Sequence, residues 1–355
     1  MSRGAVLRTS GSVKTGGGSV APVRALERLE RLYAIGGGSG ANRVGYSSEE
    51  DEAHAIARAW LEEAGLETHV DDAGNLFGHS ATAPGVWTGS HLDSVPQGGK
   101  FDGALGVVAA IEAVERADRG TVVVFRDEER GCAGSQAFVA RGDLPDAFLE
   151  LHIEQGPRLA DAGAPLGIVT AIVGYVRGEV VVEGRAGHAG TTPMTVRDDA
   201  LVKAAGLILR LHDEAATIDG AVLTVGRIEA EPGGVNVIPG RVRFSVDLRA
   251  PDEERLAALV ALTGIDGSRA VAPTAMSPAV RGALADEFAA RGLPVAELTS
   301  GAGHDAGVLA RAGVPTGMLF VRSLAGGVSH SPDELSSEED VELAIDVLAS
   351  TLQRL

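Results

Sequence analysis

Cysteine is almost absent from this chain: Cys132 is the only one in 355 residues. An internal disulfide framework is therefore excluded, and a reducing compartment, by default the cytoplasm, is the expected location. Aromatic residues are scarce at 4%, so the core is expected to be built from alanine, valine and leucine. Basic side chains are outnumbered, 31 Lys and Arg against 49 Asp and Glu, for a formal charge of −18. Nucleic acid and anionic membrane both require a basic face, and this balance argues against either as a partner. No apolar run approaches membrane-spanning length. Residues 1–20, MSRGAVLRTSGSVKTGGGSV, lack a signal-peptide apolar core and read as a flexible tail. There is no internal repeat, and no low-complexity segment beyond that tail.

What remains is an ordinary globular mixture, 45% hydrophobic and 23% charged, of a length that suits two domains or one domain with a large insertion. Its most informative stretch is Gly89 to Val108, GSHLDSVPQGGKFDGALGVV. Val86 and Trp87 lead in as a strand. His91 and Asp93 are two apart and project to one face of an extended backbone. Pro96, Gly98 and Gly99 break the strand, and Asp102 precedes an apolar helical run from Leu105 to Val114, where the helix dipole favours an acid. An imidazole, a carboxylate behind it and a second carboxylate in reach are the parts of a transition-metal site.

Along the rest of the chain, Ala21 to Tyr33 has helical apolar spacing. Gly36 to Gly40 reads as a loop: no strand precedes it and no Lys-Ser/Thr follows, which argues against a phosphate-binding turn. Ser48 followed by Asp51 marks a capped amphipathic helix over Ser47 to Ala64. Glu67 to Val70 and Asn75 to Phe77 read as a hairpin. Thr121 to Phe125 is a buried strand without alternation. At its carboxyl end, where open α/β sheets place their sites, stand Glu128 and Glu129; one can bind metal while the other stays free as a base. Phe148 to Ile153 is a further strand and carries His152.

From Gly174 the pattern changes. A strand (Tyr175 to Glu183), a loop with His188, a helix (Ala200 to His212), strands Val222 to Ile228 and Arg241 to Arg249, and a helix (Glu253 to Leu262) suggest a small α/β sandwich inserted in the larger sheet. The larger unit resumes with helix Ala279 to Arg291, strand Val295 to Leu298, the loop holding His304, strand Thr316 to Val321, the loop holding His330, and helix Glu338 to Leu352. The expected fold is thus α/β, with a large mixed-sheet unit over 21–172 and 278–355 and an inserted sandwich over 173–277.

GSHLDSVPQGGKFDG, LELHIEQGP, GHAGTTPM followed by RDDA, EPGGVNVIPG, SGAGHDA and GVSHSP together resemble the dinuclear metallopeptidase and amidohydrolase family. Within it the chain is most similar to the branch of N-carbamoyl-L-amino-acid hydrolases and allantoate amidohydrolases, also called hydantoinase/carbamoylase, from about Val23 onward. The resemblance implies two divalent ions, of zinc, manganese, cobalt or nickel, held by His91, Asp102, Glu129, His152 and His330, with Asp102 bridging. Asp93 would orient His91, and Glu128 would be the general base. His188 would stabilise the oxyanion, and His188, Asn236, Arg249 and His304 would contact substrate. The inserted sandwich would be a lid and dimerisation domain whose His188, Asn236 and Arg249 reach the partner subunit's site in a homodimer. The implied reaction cleaves a carbamoyl C–N bond in a small substrate bearing a carboxylate. The alternatives are an aminoacylase or peptidase-like hydrolase on the same scaffold, and a catalytically silent binding protein.

Two departures from the family pattern stand out. The connection from Glu129 to His152 and the segment from Leu262 to Ser277 are both short, which bears on the substrate pocket rather than on the ligands. His54, His69, His79 and His212 match no motif and read as structural or surface residues.

Overall fold

The runs without alternation form the interior of one sheet, as strands covered on both faces must. The computed structural model describes residues 24–83 and 85–355; the expected tail and the first three positions of the first helix lie outside the described residues. The chain runs α1 (Arg24–Tyr33), α2 (Ser48–Glu63), β1 (Glu67–Val70), β2 (Leu76–His79), β3 (Val86–His91), α3 (Ala104–Ala117), β4 (Thr121–Phe125), α4 (Ala133–Val139), β5 (Ala147–Ile153), α5 (Arg158–Asp161) and β6 (Leu166–Ile172). Next come β7 (Gly174–Glu183), β8 (Gly187–His188), α6 (Ala200–Ala215), β9 (Val222–Thr224), β10 (Ile228–Glu231), β11 (Val237–Ile238), β12 (Arg241–Ala250) and α7 (Glu253–Thr263). The remainder is β13 (Thr274–Ala275), α8 (Pro278–Ala290), β14 (Glu297–Ser300), α9 (Asp305–Arg311), β15 (Thr316–Val321) and α10 (Glu338–Leu352).

Among the described residues nine strands make one mixed sheet in the order β1-β2-β4-β3-β5-β15-β6-β13, with β14 also on β6. The pairs β3–β4, β3–β5 and β15–β5 are parallel. Every residue of β4 and β5 is buried. Helices α1, α3, α8 and α10 supply Leu29, Val107, Ile111, Leu284 and Leu348 to an aliphatic core on one face. Each such fully buried side chain contributes roughly 1.5–3 kcal/mol of burial. Five of the eight phenylalanines collect on the other face: Phe77, Phe125, Phe138, Phe148 and Phe320 share one cluster with α9 residues Ala306 and Leu309.

A second sheet, β10-β12-β7 with β9 also on β12, has its own core. Val242, Phe244, Val246 and Leu248 alternate inward from β12 against Ala204 and Leu211 of α6 and Leu256 and Leu259 of α7. Among the described residues no helix packs on the opposite face of β7 and β12. That face presents Tyr175, Arg177, Asp247 and Arg249, with Asp247 opposite Arg177 and Arg249 opposite Tyr175 in the register. A two-stranded ribbon, β8 with β11, stands apart from both sheets.

The sequence expectations differ from this in several places, and they did not name α4, α5, β6, β13 or α9. The strand expected over Val222 to Ile228 is two strands, both on β12, divided around Gly226. The strand expected at Val295 to Leu298 starts at Glu297 and runs to Ser300 through an irregularity between Leu298 and Thr299. The cap of α2 lies one residue earlier than expected: Ser47 accepts the Glu50 amide and Glu50 accepts the Tyr46 amide. The apolar run after Asp102 becomes helical at Ala104, with Gly103 between. The expected sandwich order also omitted the β8–β11 ribbon, whose strands are too short for periodicity to show.

Candidate metal centre

Strand ends bring the site together. His91 closes β3, and the turn after it places Asp93 behind the ring, with Nδ1 3.1 Å from Asp93 Oδ1. The same Asp93 carboxylate accepts the Glu128 amide at 3.0 Å and the Glu129 amide at 3.1 Å. One fully buried carboxylate thus fixes both the His91 ring and the turn after β4. His152, near the end of β5, has its Nδ1 2.9 Å from the Ile153 carbonyl. A carbonyl can only accept, so that nitrogen carries the hydrogen and Nε2 is the free lone pair.

The Nε2 atoms of His91 and His152 are buried without a hydrogen-bond partner, yet they approach Asp102 Oδ1 at 3.8 and 3.2 Å. Asp102 Oδ2 lies 3.3 Å from His330 Nε2, which is itself 3.4 Å from Glu129 Oε2. Two groups capable of holding a cation result, His91–Asp102–His152 and Asp102–Glu129–His330, and Asp102 belongs to both. Two buried imidazole nitrogens lacking partners beside a shared carboxylate fit a cation better than any neutral arrangement. Imidazole and carboxylate donors suit zinc, manganese, cobalt and nickel alike. The five residues expected as ligands are therefore adjacent. A third group, Glu150–His152–His304, lies deeper.

Electrostatics follow from burial and neighbours. Burial works against charge on His91, but Glu128, Asp93 and Asp102 outweigh it and hold its pKa well above the ordinary value. Burial would raise Asp102, but His152 and His330 bring it well below the carboxylate range. Contact with Asp102 raises His330 to about 9. Glu128 is pushed well up by burial and by Asp305, Glu129 and Asp102, against the pull of His91. Its Oε2 lies 3.8 Å from His91 Nε2, and it belongs to neither of the groups that share Asp102. Burial, followed by the neighbouring Glu128 charge, also raises the Cys132 thiol. His304 is held well below its ordinary value by burial and by His152. Its Nε2 is 2.8 Å from Ser300 Oγ, and its ring stands edge-on to His152 with centroids 4.6 Å apart.

These groups open into a cavity of about 590 Å³ lined by Asp102, Glu128, Glu129, His152, His304 and His330 and also by Tyr175, Arg177 and Arg249 of the second sheet. Arg249 donates to Asp247 at 2.9 Å and to the Gly301 carbonyl at 2.8 Å. It lines the cavity of its own chain, whereas the resemblance implied a place in the partner's site. His188 and Asn236 do not line this cavity. They meet each other on the β8–β11 ribbon, where the Ala189 amide donates to the Asn236 carbonyl at 3.0 Å. His188 Nδ1 accepts the Gly190 and Thr191 amides, which leaves the hydrogen on Nε2.

Beyond Asp93, sequence reasoning missed the residues that hold the expected ligands. Gln155 and Ser329 donate to Asp102 Oδ2 at 2.8 and 3.1 Å. Glu334 accepts the Phe101, Asp102 and His330 amides and the Ser329 hydroxyl. Gln155 lies within LELHIEQGP and was findable there; nothing local marks Glu334. Beneath the site, Glu150 accepts the Ser90 hydroxyl and the Ala306 amide. Asp305 accepts the Ser135 hydroxyl at 2.6 Å, and burial together with Glu150 raises it to about 8. Glu154 accepts the Arg158 and Leu159 amides and so caps α5. Of the unassigned histidines, His54 is buried, His69 and His79 stack on one another, and His212 is exposed.

Two glycines in the GGKFDG turn are required by this geometry. A Cβ on Gly103, whose φ is +62°, would lie 2.4 Å from the His91 ring, and one on Gly99 would lie 1.8 Å from the Glu334 carboxylate. Both turns can approach the ligands this closely only without a side chain.

The chain is 36% identical to an N-carbamoyl-L-amino acid amidohydrolase of Geobacillus stearothermophilus, over 94% of this chain and 98% of that one. It is 34% identical to an allantoate amidohydrolase of Bacillus subtilis, over 91% and 94%. The first match spans 402 aligned positions, more than the 355 residues of this chain, so it crosses gaps on this side. A hydantoinase/carbamoylase-family amidase structure from Burkholderia phymatum superposes with a TM-score of 0.82 at 29% identity, over 94% of this chain and 97% of that one. A Staphylococcus aureus tripeptidase at 16% identity and a TM-score of 0.73 shares the fold. Residues 87–354 match peptidase family M20/M25/M40, and with these relatives the chain belongs to that family.

Proposed function

We propose that this protein is a metal-dependent amidohydrolase that cleaves the ureido C–N bond of a small N-carbamoyl or allantoate-like acid, with Glu128 as general base. The observation that carries this is the position of Glu128. It lies at the cavity wall within 3.8 Å of His91, carries a raised pKa, and stands outside both of the groups that share Asp102. Relatives named for carbamoyl amino acids and for allantoate both support a ureido acid as substrate.

Two divalent ions held by His91, Asp102, Glu129, His152 and His330 would supply Lewis acidity toward water and the ureido carbonyl. The protein residues do the rest. Asp93 accepts the His91 Nδ1 hydrogen and aims Nε2 inward, and Gln155 and Ser329 fix the orientation of Asp102. Glu128 takes the proton of the attacking water and returns it to the leaving nitrogen. Arg249 takes the substrate carboxylate through its guanidinium fork. The carbamate released breaks down to ammonia and carbon dioxide.

His188, through its Nε2 hydrogen, is assigned to the oxyanion, and Asn236 to the substrate, both in the cavity of a second copy. Their ribbon is surrounded by exposed Met194, Val196, Leu201, Val202 and Val235, an apolar patch of the kind that a partner covers. The second sheet with its separate core supports a lid and dimerisation unit over 173–277. The single cysteine supports a reducing compartment, the cytoplasm; no helix among the described residues is long and apolar enough to cross a membrane.

The test is ammonia release from N-carbamoyl-L-amino acids, N-carbamoyl-β-alanine, allantoate and ureidoglycolate after manganese or zinc loading. Activity in the parent that Glu128→Gln abolishes, with metal content unchanged, supports the reading. Silence on every ureido substrate together with turnover of N-acyl amino acids overturns it.

A further inference from the structure

The wall that β7 and β12 contribute to the cavity is cationic, in a chain whose net charge is −18. Arg177 and Arg249 lie there on adjacent strands, two positions apart along the register and on the face of β7 and β12 that no helix covers. Asp247 stands between them. Its Oδ1 accepts Arg249 Nε at 2.9 Å and its Oδ2 accepts Arg177 Nε at 2.8 Å. One carboxylate therefore orients two guanidinium groups and neutralises only one of them. The Tyr175 ring supports the Arg177 guanidinium from below, with 5.1 Å from Cζ to the ring centroid. The terminal nitrogens of Arg177 carry no bond among the described residues, and its side chain is 64% exposed. Arg311, on the cavity wall, bonds the Thr274 hydroxyl and has no acidic partner among the described residues.

We infer that Arg249, Asp247 and Arg177 form a receptor for two anionic groups, so that the preferred substrate is a ureido acid carrying a second carboxylate besides the α-carboxylate. The inference rests on the reading of the site as a ureido-acid hydrolase and adds its substrate class. A substrate with one acid group satisfies Arg249 and leaves the oriented Arg177 fork empty. A second carboxylate one or two methylenes from the α-carbon meets that fork, while the ureido group points toward Glu128. Arg177 is a specificity residue: it touches substrate and takes no part in proton transfer. Because it is a partly exposed cation, its contribution is moderate, about tenfold in affinity.

Matched probes test this. Calorimetric binding of N-carbamoyl-L-aspartate and of its neutral isostere N-carbamoyl-L-asparagine is compared in metal-loaded Glu128→Gln protein, which retains the receptor without turnover. The same pair is then measured after adding Arg177→Met, with the melting temperature as the check on folding. The expected result is binding of the aspartate compound about tenfold tighter, with Arg177→Met erasing that preference and leaving the asparagine compound unchanged. Equal binding of the pair, or a preference that survives Arg177→Met, overturns the inference. Failure of the hydrolase reading is seen separately, as metal-loaded parent protein that releases no ammonia from any ureido acid, whichever of them bind.

Discussion

Glu334 accepts the backbone amide of Asp102 at 3.2 Å, so the shared carboxylate of the candidate metal centre is positioned by a residue from the far end of the chain. Glu334 also accepts the His330 amide and the Ser329 hydroxyl, which ties the turn before α3 to the loop after β15. Glu334→Ala leaves several buried donors unpaired, each costing about 1–3 kcal/mol, and loosens two ligands at once. Metal affinity is expected to fall roughly 10–100-fold with a lower melting temperature. Titration with a competing chelator measures the first and thermal denaturation the second. Unchanged metal affinity would show that the Asp102 turn holds itself.

The Gly103 position makes a steric prediction. A methyl group there meets the His91 ring at 2.4 Å in a backbone conformation with φ +62°. Gly103→Ala is expected to cost on the order of 1–3 kcal/mol from backbone strain alone, with further loss from displacing the ring. Metal content should fall below that of the parent even in preparations that fold, as read by elemental analysis beside a denaturant melt. A parent-like metal content would mean that the turn can re-form with the ring in place.

Asp305 provides a pH dependence. Its pKa is raised from 3.8 to about 8 in the folded protein. The folded state therefore holds this proton over a range in which the unfolded chain has lost it. The contribution is fully present below pH 3.8 and is lost as pH rises toward 8. Asp305→Asn keeps an acceptor for Ser135 and removes the titration. Relative to the parent, the variant should gain stability progressively between about pH 4 and 8 and remain level above. Each tenfold difference in proton affinity between the folded and unfolded chain is worth about 1.4 kcal/mol, which sets the upper bound on the gain. Denaturant melts across that range test it; a difference independent of pH would place the buried charge elsewhere.

Placing His188 in a second copy predicts complementation. Glu128→Gln and His188→Ala are each expected to be inactive alone. Mixed and re-equilibrated, they form heterodimers in which one site has both an intact Glu128 and an intact His188, and about a quarter of parental activity should return. The same mixture assayed before subunit exchange is the control. No recovery after proven exchange would place His188 in its own chain's cavity.

The expected ligands were legible because His91, Asp102, His152 and His330 belong to dense motifs and Glu129 stands at the carboxyl end of a buried strand, and the structure makes the five neighbours. Helix α10 and strands β4 and β15 were legible to the residue, because uniform apolar runs and a sustained helical period leave few alternatives. The supports were less visible. Glu334 is one of several acids in a polar stretch that includes Asp333, and its partners at Phe101 and Asp102 lie more than two hundred positions away. Arg177 reads from sequence as an exposed residue of an ordinary alternating strand. Only the register with Asp247 shows what it faces. The two-residue strands β8 and β11 are too short to carry a period; that His188 lies outside its own chain's cavity agrees with what the resemblance implied, whereas Arg249 does line it.

Strand β15 lies between β5 and β6, which follow one another in the sequence. A chain emerging from the ribosome makes those two strands long before residues 316–321 exist, and the place between them must stay open. Until then both present unpaired backbone to whatever is nearby, the condition under which strand edges pair wrongly. An interior strand of the sheet is thus the last of its strands to be made, and His330 and Glu334 arrive directly behind it. Assembly of the metal ligands is in this way tied to near-complete synthesis: a nascent chain offers His91, Asp102, Glu129 and His152 early, but the loop that brings His330 and braces Asp102 comes only with the strand that closes the fold.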